Sequence, residues 1–255
     1  MVLPHYTDST LSNAAGGDAE LSRGLTVDLF ARNGRVGSAL LTAASPGSYS
    51  GSCTSWPTAA VAPRTSPQSG ATAGAGPPPS WAVAFVVGHA VSLPMDSVAM
   101  LSPGDSARRA AELVRVASAL RGDTAAAFRG LPFTVRDAHR FVMPDGTEGI
   151  AAELVRRINE EANPREQHIL LIIERDTTPS VGGPPQYVAS YVERASGPED
   201  DLEASEVLAG VLLGPHRTPT IVVGRDDGDG GSYTLVTRVS RGRWVGTWNS
   251  AYTGC

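Results

Sequence analysis

The chain has 255 residues, a formal net charge of −5 and 21 basic side chains, every one of them arginine. Without lysine there is no amine that can lose its proton, which excludes Schiff-base chemistry, pyridoxal phosphate anchoring, a Walker-type phosphate lysine and a Ser-x-x-Lys nucleophile. The arginines are scattered rather than striped, so nucleic-acid binding is not expected, and no apolar run approaches the roughly 20 residues of a membrane-spanning helix.

Residues 1 to 23 are small and polar around Asn13-Ala-Ala-Gly-Gly-Asp18 and read as a flexible leader or tether. From residue 24 to 255 the pattern predicts a single β-rich domain, interrupted by a Pro/Gly-rich low-complexity loop at 62–80. Leu25, Val27 and Leu29 alternate with polar residues, and Asn33-Gly34 offers a type I′ turn into a second strand over 36–42. Trp81 to Val87 is an apolar run suited to a strand covered on both faces.

One helix is clearly marked, at about 103–121. Ser102 can cap it, Pro103 suits the first position, Asp105 completes a capping-box variant, and Gly122 can stop it. Ala110, Leu113, Val116, Ala117 and Leu120 form its apolar face. Period-two runs then dominate at 133–143, 168–175, 186–193, 220–224, 232–239 and 243–252, separated by turn residues. Segments 149–159 and 203–213 fit either helix or strand; the first is read as a strand, and the second is left open. Together these elements predict a mainly β (α+β) fold, with antiparallel sheets forming a sandwich or a partial barrel.

Three groups of residues could carry chemistry. In Phe133-Thr-Val-Arg-Asp137-Ala-His139-Arg-Phe141, period two places Asp137 and His139 on one face, where a carboxylate could orient an imidazole as general base; a structural Asp/His pair or a bulge is the competing reading. Asp226, Asp227 and Asp229, spread among glycines, have the oxygen density that calcium prefers, but not EF-hand spacing, so a solvated hairpin turn competes there. Trp244 and Trp248 should share a strand face as packing residues. No nucleophile elbow, dinucleotide-binding glycine motif or zinc-protease motif occurs, and no cofactor is expected.

Cys53 and Cys255 are expected to form a disulfide, which points to an oxidising compartment; two free thiols in a cytosol are the alternative. Pro144-Asp-Gly-Thr-Glu148, Asn163-Pro-Arg-Glu166, Val222-Val-Gly-Arg-Asp226 and the ending Trp248-Asn-Ser-Ala-Tyr-Thr-Gly-Cys255 resemble exported or lipoprotein-type β-rich proteins of GC-rich bacteria. The resemblance implies export, with the leader absent from this chain, and brings no site residues with it. The resulting expectation is an exported, non-enzymatic binding or envelope-associated protein (periplasmic, lipid-anchored or secreted) whose partner is a small molecule or a protein. The competing classes are a hydrolase using Asp137 and His139, and a calcium-stabilised β module.

Overall fold

The structure is a computed structural model, and it describes residues 3–7, 10–12, 23–51, 53–63, 80–121, 126–158, 164–176, 186–226 and 228–255, with backbone only at 3–7, 10–12 and 63. Its strands pair antiparallel in three groups, as the mainly β reading anticipates. The first group comprises β1 (Leu3–Thr7), β2 (Thr10–Ser12), β3 (Thr26–Ala31), β4 (Gly34–Ser45), β7 (Thr58–Pro63) and β8 (Val83–Val86). They run in the order β1-β2-β7-β4-β3-β8, and β1 returns to β8 through Leu3↔Ala84 and Pro4↔Val83. Part of the expected leader is therefore built into the fold as β1 and β2. Residues 13–22, and 64–79 of the low-complexity loop, lie outside the described residues.

The second group has the order β10 (Met95–Ser97), β11 (Thr134–Val142), β12 (Glu148–Ile158), β13 (Arg165–Arg175) and β14 (Tyr187–Pro198). The third contains β5 (Ser48–Ser50), β6 (Cys53–Ser55), β9 (Ala90–Ser92), β15 (Ala204–Leu213), β16 (Thr218–Asp226), β17 (Gly230–Ser240), β18 (Arg243–Asn249) and β19 (Thr253–Gly254). Its order is β5-β6-β19-β17-β16-β15-β9, with β18 also on β17. Both ambiguous segments are strands, β12 and β15.

Helix α1 (Pro103–Ala119) begins as its sequence dictates, with the Ser102 hydroxyl accepting from the Asp105 N–H at 3.3 Å and donating to the Asp105 carboxylate at 2.8 Å. Gly122, the expected stop, lies outside the described residues.

These parts stack in layers. Leu113, Val116 and Ala117 of α1 pack on Ile150, Leu154, Ile169 and Leu171 of the second group. The opposite face of that sheet, with Phe141, Ala151, Leu170 and Ile172, packs on Val207, Ile221, Val223, Val236 and Trp244 of the third. The far face of the third group, with Ala209, Val211, Val222 and Leu235, meets Phe30, Val83 and Phe85 of the strand ring. The ring closes on Val27, Leu29, Leu41, Val61 and Trp81. The unbroken apolar run Ile169–Ile173 follows directly, since alternate residues of β13 serve two different cores.

β-Bulges decide which faces side chains occupy, and two of them overturn expectations. A register shift between Val135 and Asp137 leaves Phe133, Val135 and Ala138 on the α1 side and His139 and Phe141 on the other, so the expected single apolar face is split at Arg136. On β18 the extra residue Thr247 stands between Gly246, paired with Val236, and Trp248, paired with Leu235; Trp244 lies in the core under the second sheet, and Trp248 packs on the opposite face. The two tryptophans do not share a face, although both pack against the sheet core. The first hairpin also turns one residue earlier than expected. Ala31 pairs with Gly34, so Arg32 and Asn33 form the turn, and the positive φ of 120° falls on Gly34.

Cys53 and Cys255 are disulfide-bonded. The bond ties the end of the chain to β6, where Thr253 Oγ1 also donates to the Thr54 carbonyl at 2.9 Å. The tail lies against bare backbone: a Cβ on Gly230 would sit 2.1 Å from the Thr253 carbonyl oxygen and 2.7 Å from Gly254 Cα. Only glycine permits so close an approach.

Candidate functional site

At one end of the layered body, several parts of the chain converge on a cleft of about 770 Å³. The β3–β4 turn supplies Arg32, the β11 bulge Arg136 and Asp137, and β12 Glu153; β15 supplies Ser205 and Glu206, and the end of β16 with the turn after it supplies Arg225, Asp226 and Gly228 to Gly231. Tyr233 and the tail residue Thr253 complete the wall, so the disulfide anchors one side of the cleft.

The expected Asp137–His139 pair forms, with the imidazole Nε2–H donating to Asp137 Oδ2 at 2.8 Å. Hydrogen bonding from His139 holds the Asp137 carboxyl below its ordinary range against the opposing effect of burial, with Arg32 at 3.9 Å contributing charge. The order of the two groups is the reverse of what a general base requires. Asp137 is 39% exposed and lines the cleft, whereas His139 is 4% exposed and sits behind it. Its Nδ1 is buried and has no hydrogen-bond partner among the described residues.

Sequence reasoning did not anticipate the charged chain beneath the cleft. Sheet β11–β14 extends past the third sheet at this end, and the strand face that carries Ala151 and Leu170 in the core carries Glu153, His168 and Glu166 beyond it. His168 Nδ1–H donates to Glu153 at 3.0 Å and Nε2–H to Glu166 at 2.6 Å, while the Ser205 N–H donates to Glu153 at 3.3 Å. The hydrogen bond to Glu153, aided by Glu166, raises the His168 pKa despite burial. Burial alone would raise the Glu166 carboxyl, but His168 and Arg157 together bring it below its ordinary value. Charged residues at period two within otherwise apolar strands were the available signal.

A second cleft of about 740 Å³ lies on the other side of Arg136 and shares Arg136 and Ala204 with the first. His168 and Glu166 line this second cleft, and Glu153 lines the first.

Of the calcium candidates, Asp226 and Asp229 line the first cleft, and Asp227 lies outside the described residues. Asp226 Oδ1 accepts from the Gly228 N–H at 2.7 Å, which is the geometry of a hairpin turn. Among the described residues, no three His, Cys, Asp or Glu side chains are grouped so as to hold a metal ion. No helix among them is long and apolar enough to cross a membrane.

No family model matches the chain, and neither a curated protein nor a solved structure is similar to it.

Proposed function

We propose that this chain is an exported, non-enzymatic binding module and that the cleft around Arg136 and Asp137 is its ligand site. The observation that carries this reading is the cleft itself: a polar concavity enclosed by segments as distant as Arg32, Asp137, Arg225 and Thr253. The Cys53–Cys255 disulfide favours an oxidising compartment and fastens the wall to which Thr253 belongs.

Catalysis by Asp137 and His139 is the weaker reading. A hydrolytic imidazole must face the substrate with its carboxylate behind it, and here the carboxylate faces the cleft.

The test is a thermal-shift screen of small polar metabolites against the wild type and Ser205→Trp, whose indole would fill the cleft. Ligands that raise the wild-type melting temperature should fail to raise that of the variant. Equal shifts in both proteins would place binding elsewhere and defeat the reading.

A further inference from the structure

In a regular strand, neighbouring side chains point to opposite faces, so Arg136 and Asp137 should not meet the same ligand. The register shift between Val135 and Asp137 removes that restriction, and both side chains line the first cleft. A bulge that aims a guanidinium and a carboxylate side by side into one concavity is a re-aiming device of the kind found beside binding sites.

Most other charges around the cleft are engaged elsewhere, and Asp226 and Asp229 lie at the turn on its wall, with Asp226 accepting from the Gly228 N–H at 2.7 Å. Arg225 Nη2 donates to both oxygens of Glu193, at 2.7 Å each. Arg32 pairs with Glu206, and Glu153 is buried against His168 and the Ser205 N–H. By contrast, the Arg136 side chain is 52% exposed, and its one ion contact among the described residues is Glu153 Oε2 at 3.6 Å, beyond hydrogen-bond reach. Asp137 Oδ1 accepts from the Ala138 N–H at 3.0 Å and Oδ2 from His139 behind it, Arg32 lies at 3.9 Å, and 39% of the side chain stays open to the cleft with lone pairs to spare. Arg136 and Asp137, neighbours in sequence, thus face the cleft side by side as a cation and an anion.

Building on the binding reading above, we propose that the cleft takes a zwitterionic small molecule of the α-amino acid or dipeptide class, its carboxylate on Arg136 and its ammonium group on Asp137. The guanidinium fork matches a carboxylate with two parallel hydrogen bonds, and the Asp137 carboxylate accepts from the ammonium.

The test is calorimetric titration at low salt, using L-alanine and L-alanyl-L-alanine as zwitterions. N-acetyl-L-alanine lacks the cation, L-alaninamide lacks the anion, maltose is a neutral polyol, and inorganic phosphate is an anion alone. Zwitterions should bind the wild type at least about tenfold more tightly than any control, and L-alanine against L-alanyl-L-alanine separates free amino acid from dipeptide. Arg136→Ala and Asp137→Asn should each weaken zwitterion binding by about tenfold or more, with Arg136→Lys intermediate. The blocked analogues act on the unaltered protein, so the test stands even if a variant folds poorly.

Equal binding of maltose or a blocked analogue, or no zwitterion binding up to about 10 mM, overturns the inference while leaving the cleft reading intact. Zwitterion binding that survives Ser205→Trp defeats both.

Discussion

Reducing the Cys53–Cys255 bond should lower the melting temperature substantially, and the size of the change follows from the topology. The bond joins residues 202 positions apart, and a loop of that length loses about 18 cal/mol/K of unfolded-state entropy on cross-linking, or about 5 kcal/mol at 25 °C as an upper figure. At about 2.1 cal/mol/K per residue, unfolding the whole chain carries about 0.5 kcal/mol/K, so removing the constraint should lower the melting temperature by about 10 °C. Local contacts at the tail do not replace the bond. Gly254↔Thr54, Gly230↔Gly254 and the Cys255 N–H to Asp229 carbonyl hydrogen bond at 3.2 Å form a short ladder that frays once its covalent end is released. The assay is circular-dichroism melting of the oxidised protein and of Cys53→Ser/Cys255→Ser, with the oxidised state confirmed by intact mass. A fall of less than about 3 °C would show that the unfolded chain is already restricted near this closure, refuting the loop-entropy argument.

Glu174→Gln should destabilise the protein by about 2 kcal/mol or more by chemical denaturation, because the buried carboxylate accepts from Arg238 twice at 2.9 Å, from Trp244 at 2.5 Å and from the Gly242 N–H at 3.0 Å, and its loss leaves Arg238 with Asp145, at 2.7 Å, as its remaining counter-charge. Melting temperature should peak between about pH 4.5 and 6.5. His168, whose folded pKa is raised, contributes stability that is complete below its unfolded value and disappears as pH rises through its folded value. Asp145 is opposed by burial but brought down to about 2 by Arg238 and Thr147, and its contribution is lost as the pH falls from about 4 towards 2. His168→Gln should remove the decline on the alkaline side, which a melting series across pH checks.

Much of the architecture was legible because it rests on local rules. Ser102-Pro103 with Asp105 marks a helix start that no tertiary contact has to create. The alternation in 133–143 and 232–239 marks strands, and the terminal cysteine pairs as expected. What could not be read is pairing between distant segments. β1 and β2 are short and show no strand alternation, with Leu3, Tyr6 and Leu11 as their large apolar residues, and their strand form depends on β7 and β8 offering open edges. β15 matches helical spacing in Val207, Leu208, Val211 and Leu212, and its place between β16 and β9 settles the competition.

The candidate site shows the same division more sharply, because a single backbone irregularity determines its composition. Strict alternation places Phe133, Val135, Asp137 and His139 on one face and excludes Arg136. One extra residue on β11 sends the first two into the α1 core, keeps Asp137 and His139 towards the third sheet, and turns Arg136 into the cleft. Neither Arg136 nor its neighbours are residue types that announce a bulge. Burial provides the reason for it: Phe133 and Ala138 have their core beneath α1, Phe141 has its core against Trp244 at 5.8 Å, and an uninterrupted strand cannot serve both. The packing demands of two separate cores therefore place a cation beside an anion at the mouth of the cleft. Sequence reasoning located Asp137 but missed its partner, because the residue that pairs with it functionally is the one that breaks the period.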